Sequence, residues 1–183
     1  MLLSACTDLG LPDGGSVGTA DLVILPLQST APTPSTGTFV VSNDRTVVRQ
    51  ILHPDAFNTP FVELRFPGAS ITGVGGIPLG SPDSVTVVAQ PASGTYGLTL
   101  SPADLELDAG TPPSARFFYG QYGDLSMFAG AFDSPADYAA ALALWYEVTP
   151  GRWERVAGSG ADGIDAVRGS LMQPGTYMVA AAR

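Results

Sequence analysis

The stretch LALWYEVTPGRWERV, residues 142–156, decides how this chain is read. Leu142 to Val148 is, Glu147 apart, a run of apolar and aromatic side chains that suits a pleated, half-buried surface. Thr149-Pro150-Gly151-Arg152 then supplies turn chemistry, because the proline ring presets one corner and glycine opens the next. Trp153 starts a second run, so the spacing predicts an antiparallel hairpin with Pro150-Gly151 at its corner. Upstream, SPADYAAALAL predicts one short helix near 135–141. Ser134 takes the N-cap, Pro135 the first helical position, and Asp137 stands three residues after the cap. The alanines that follow favour helix. Downstream, GSGADGID reads as a loop, and AVRGSLM and TYMVAAA, separated by a Gln-Pro-Gly turn, read as two closing strands.

The same alternation of short runs and turns extends back to Thr38. TFVV and TVVRQIL flank the turn residues Ser42, Asn43 and Asp44. FVELRF alternates, with Phe61, Glu63 and Arg65 against Val62, Leu64 and Phe66. SVTVVAQ, TYGLTL, ADLELD and SARFFYGQYG follow, with Pro and Gly between them. Roughly ten short strands at ~8–12-residue spacing predict an all-β antiparallel sandwich over 38–183. Gly73, Gly75, Gly76 and Gly80 lie in a turn-rich connection. A dinucleotide fingerprint would need glycine where Pro78 stands and a helix behind it, so a long mobile connection or a sandwich corner is the expectation. Residues 1–37 are rich in Gly, Ser, Thr, Pro and Asp around the apolar run Leu22 to Leu27, and are expected to be a truncated signal and a flexible tether. DLVILPLQ within them could form an edge strand, although Pro26 removes a ladder donor.

Composition narrows the function classes. The 183 residues are 45% hydrophobic and 14% charged, enough to bury one core. Seventeen acids face eight bases, a net charge of −9, and every base is arginine. A lysine-free, alanine-rich chain suggests a GC-rich bacterial genome. The arginines form no basic run, which argues against a nucleic-acid partner. No stretch reaches the ~18 apolar residues of a transmembrane helix.

Chemistry-bearing residues are few, and no cofactor is expected. The single histidine, His53, could serve a Ser-His-Asp triad, but AGSGA at 157–161 lacks the spacing of a nucleophile elbow. His53-Pro54-Asp55 reads instead as a turn whose Asp55 accepts local backbone donors. Asp104, Glu106 and Asp108 alternate as in a calcium loop, although the glycine comes one residue late and no twelfth-position Glu follows. They are the candidate metal ligands, beside the reading in which Leu105 and Leu107 face inward and the acids outward. Asp162 and Asp165 are a second acidic loop. Of the aromatics, Tyr122, Tyr146 and Trp153 are expected to be partly exposed and to form a binding surface.

Leu3-Ser4-Ala5-Cys6, holding the only cysteine, resembles the lipobox of bacterial lipoproteins. The resemblance implies cleavage before Cys6 and a lipid on its sulfur. Only Met1, Leu2 and Leu3 stand before Ser4, so the signal would be a truncated one. Residues 61–182 resemble the β-sandwich module shared by ankyrins, netrin receptors and many bacterial surface proteins. The features are Phe66-Pro67-Gly68-Ala69, the LSPADLEL strand entry, Pro112-Pro113, the 142–156 hairpin and Tyr177-Met178-Val179. Members that self-cleave do so at His-Phe-Ser, where this chain has Pro174-Gly175-Thr176. The resemblances imply a non-enzymatic module in the cell envelope, anchored to membrane through Cys6, with a protein or glycan partner. The alternative expectation is a carbohydrate- or calcium-dependent binding module on the cell surface.

Overall fold

The computed structural model describes residues 15–128 and 130–183. It is an all-β, antiparallel sandwich with a single α-helix among the described residues. The larger sheet holds β1 (Val17–Gly18), β2 (Leu22–Ile24), β3 (Gly37–Ser42), β8 (Ser84–Pro91), β9 (Gly97–Ser101), β12 (Ala143–Thr149), β13 (Arg152–Arg155) and β16 (Gly175–Ala182). Its order is β1-β13-β12-β16-β9-β8-β3, and β2 also pairs with β16. The facing sheet runs β14 (Gly160–Ala161), β15 (Ala166–Ser170), β11 (Ser114–Phe118), β5 (Pro60–Phe66) and β4 (Val47–Leu52). A small third sheet joins β10 (Leu105–Leu107), β6 (Ile71–Val74) and β7 (Ile77–Pro78).

Alternation sets which side chains meet between the sheets. Val62, Leu64 and Phe66 of β5 are buried while Arg65 is exposed. Ala115 and Phe117 of β11 point inward with them, and Leu98, Leu100, Tyr177 and Val179 answer from the larger sheet. The hairpin forms as its sequence dictates: β12 pairs with β13, and Gly151 takes φ +74° at the corner. The helix α1 spans Pro135–Ala141. Ser134 Oγ accepts from the Asp137 amide at 3.1 Å and donates to the Asp137 carboxylate at 2.6 Å. Its one buried side chain, Tyr138, donates to the Val23 carbonyl at 3.2 Å.

Among the described residues sixteen strands stand where about ten were expected, and the additions are mostly pieces of two or three residues. Two expectations need correction. The glycine-rich connection contains the β6–β7 hairpin, closed by Gly75 (φ +59°) and Gly76 (φ +77°). Two consecutive positive φ values make the tight turn that suits twisted strands. The expected tether gives way to sheet by Val17. β1 pairs with β13, β2 pairs with Ala180–Ala182 of β16, and Leu25 is fully buried.

β1 and β2 are separated only by the 3₁₀ turn Thr19–Asp21, yet they lie on opposite borders of the β13-β12-β16 triplet. So short a link requires that end of the sheet to curl until its borders approach. The curl encloses a second apolar cluster of Leu22, Ala143, Trp145, Trp153 and Ala180, on the face of β12 opposite the main core. Cys6, with the expected lipid attachment, lies outside the described residues.

Candidate functional site

Of the three aromatics expected to be partly exposed, Tyr122 and Tyr146 are and Trp153 is not. Trp153 is 4% exposed, and its indole N–H donates to Thr19 Oγ1 at 2.9 Å. The segment expected to be tether supplies that partner and covers the ring. Tyr146 is half-buried on the other face of the larger sheet, packed against the main core. Its ring lies 5.0 Å from that of Tyr177, and its hydroxyl donates to the Pro174 carbonyl at 3.2 Å. Tyr122 is half-buried in the loop after β11, where it donates to Asp55 Oδ2 at 2.8 Å. Each ring is committed to a contact of the fold, and no flat row of aromatics results.

The candidate metal ligands Asp104, Glu106 and Asp108 also fail to converge. Among the described residues, no three His, Cys, Asp or Glu side chains are grouped to hold a metal ion. Glu106 Oε1 accepts from the Gly76 amide at 2.9 Å, across the β6–β7 turn. Asp108 Oδ2 accepts from the Thr111 hydroxyl at 2.7 Å and from its amide at 2.6 Å. Those bonds hold the Asp108 carboxyl below the usual range. Leu105 is buried between exposed Asp104 and Glu106, as strand alternation requires.

A polar knot ties the β4–β5 loop to the loop after β11. Asp55 Oδ1 accepts from the Phe57 amide at 3.1 Å and the Thr59 amide at 3.0 Å, the turn role expected of it. Hydrogen bonds from Thr59, then from Tyr122 and Phe57, hold its carboxyl well below the ordinary range. The Tyr122 ring lies 4.6 Å from that of His53. His53 is fully buried, with Nδ1 2.7 Å from the Pro32 carbonyl. A carbonyl only accepts, so Nδ1 is the donor in that contact. Nε2 and the buried Tyr96 hydroxyl have no partner among the described residues. Burial pushes the Tyr96 phenol far above its ordinary value.

Two surfaces that sequence reasoning did not single out remain open. The first is the outer edge of β3. All six residues of β3 pair with β8, and no other backbone group among the described residues bonds to the strand. The second is the outer face of the five-stranded sheet. Arg116 and Arg168 are register partners there, two residues along from the pair Ser114 and Ser170. Asp162 Oδ2 lies 2.9 Å from Arg116 Nε and 3.0 Å from Arg168 Nε. A pocket of about 270 Å³ opens beside them, bounded by Ser114, Ser170, Arg168, Asp162 and the glycine-rich stretch 158–160. Strand register makes this grouping, so no local sequence signal announces it. Comparison with protein-family models, with curated proteins and with solved structures returned no match.

Proposed function

We propose that this chain is a non-enzymatic interaction module, held in the bacterial cell envelope by a lipid on Cys6, that receives an extended segment of a partner protein along β3. The bare edge of β3 carries this reading. Edge strands are commonly guarded by charge, proline or a bulge. β4 follows that rule, with Arg49 on it and a bulge between Ile51 and Leu52. Gly37-Thr38-Phe39-Val40-Val41-Ser42 has neither charge nor proline nor bulge. Its outward N–H and C=O groups suit strand addition, and Val40, 58% exposed, offers a side-chain contact.

Topology adds support. β1, where the described chain enters the larger sheet, and β3 are the two ends of its strand order. Eight residues separate Cys6 from Gly15, a reach of at most about 30 Å. A lipid on Cys6 would hold the β1 border near the membrane and leave β3 on the far border. Two measurements test the reading. The mass of the N-terminal peptide, after expression with the upstream DNA in a Gram-negative host, should show a diacylglyceryl group on Cys6; an unmodified peptide beginning at Met1 removes the anchor. A photo-crosslinking residue at Val40 should yield a discrete adduct in cells, and one at exposed Thr149 should not. Equal labelling from both positions, or none from Val40, removes the edge.

A further inference from the structure

We propose that the pocket between β14, β15 and β11 binds a small monocarboxylate bearing hydroxyl groups, of the sugar-acid class, with Arg168 as its anchor. The site is separate from the β3 edge and does not depend on it. Like charges placed opposite one another on neighbouring strands destabilise a sheet. Arg116 and Arg168 are so placed, and the fold sets one carboxylate, Asp162, between them. Neither guanidinium N–H points along its short contact with Oδ2, so these are charge contacts rather than aligned hydrogen bonds. On the same face β5 adds Arg65 opposite Ser114 and Glu63 opposite Arg116, which cancel, so Arg116, Arg168 and Asp162 leave one positive charge, in a chain of net charge −9. A single positive charge matches a monoanion. A phosphate dianion would leave negative charge uncompensated close to Asp162.

Geometry selects the anchor. Arg116 is turned away, with its guanidinium 4.8 Å over the Phe118 ring and one terminal amine 3.3 Å from the Asp162 carbonyl. The Arg168 side chain is 56% exposed, and its terminal amines have no protein partner among the described residues. That planar fork is suited to two parallel bonds with a carboxylate. Ser114 and Ser170, opposite one another on the same face, have no side-chain partner either. Ser159 is spent, since its hydroxyl exchanges hydrogen bonds with the Leu144 backbone. Gly158 and Gly160 border it, and a Cβ at either would meet nothing within 4 Å. The volume is below that of drug-sized pockets and suits one small polar molecule. No bare aromatic ring lines it, so a neutral sugar would lack a stacking partner.

Calorimetric titration with D-glucuronate, D-glucose and inorganic phosphate tests the assignment on the whole chain. Glucuronate should bind, more weakly as salt rises, and glucose and phosphate should bind less or not at all. Arg168→Gln should weaken glucuronate about tenfold or more. Because Arg168 also balances Asp162, the double variant Ser114→Ala/Ser170→Ala serves as a second probe that leaves the ion cluster intact; it should weaken binding severalfold with the thermal midpoint unchanged. Binding of oligogalacturonate with the free acid silent would overturn the assignment to a small monocarboxylate. The proposal is overturned if glucose or phosphate matches glucuronate, if Arg168→Gln binds as the parent does, or if neither acid binds.

Discussion

A tryptophan two residues past a turn has the look of a surface anchor, and Trp153 is instead a wall of a second apolar cluster. Its burial depends on Thr19, 134 residues earlier, which no local pattern could supply. Trp153→Ala should cost about 3–5 kcal/mol, the usual penalty for emptying so large a buried site. Urea denaturation measures it, and a loss under about 1 kcal/mol would show that the cover over the ring is loose. Asp55 carries the clearest acid dependence. Its folded carboxyl titrates well below the ordinary value because Thr59, Tyr122 and Phe57 donate to the charged form. The unfolded chain therefore takes up this proton first as pH falls. Its stabilising contribution is whole above about pH 4 and declines below it, through the folded value. Asp108, through Thr111, and Asp124, through Ser126, shift in the same direction. Asp55→Asn should flatten the fall in thermal midpoint on acidification without removing it. An unchanged acid limb would assign the effect to the other two.

At the scale of elements, what the sequence made legible was local. The helix has its capping residues within four positions, and the β12–β13 hairpin has its turn residues at the corner. The β6–β7 hairpin carried an equally local signal, two glycines between β-branched residues at Val74 and Ile77, which is the composition of a two-residue primed turn. Reading the surrounding glycines as one loose connection hid it. Gly76 tests this directly, since a Cβ there would meet nothing within 4 Å and only its φ of +77° resists substitution. Gly76→Val should cost about 1–2 kcal/mol, while Gly76→Asn should cost clearly less, because asparagine tolerates that region. Equal losses for the two would mean that contacts rather than backbone conformation decide the position. The Arg168 pocket was illegible for a different reason. Arg116 and Arg168 are 52 positions apart, and only the register of β11 on β15 sets them opposite each other.

At the scale of the whole molecule, the beginning and end of the described chain are one structure. Leu22, Val23 and Ile24 pair with Ala182, Ala181 and Ala180, and the Arg183 amide donates to the Asp21 carbonyl at 3.0 Å. The segment does more than lengthen a sheet. Its amides and carbonyls continue the pairing, since the Leu25 amide bonds to the Val179 carbonyl and the Tyr96 amide to the Leu25 carbonyl. Pro26, lacking a donor, makes an isolated bridge with Thr95, which is where regular pairing stops. A chain shortened to begin at Thr38, the boundary that composition alone suggests, would strip Leu22, Val23 and Leu25 from their clusters and uncover Trp145 and Trp153. Each buried aliphatic side chain is worth roughly 1.5–3 kcal/mol, and domains of this size are stable by only about 5–15 kcal/mol. The shortened chain should therefore lose most of its stability, with red-shifted tryptophan emission and a broad, early urea transition, while a chain beginning at Gly15 keeps the parent midpoint. A chain from Thr38 that unfolded at the parent midpoint with unshifted emission would return residues 15–37 to the role of tether.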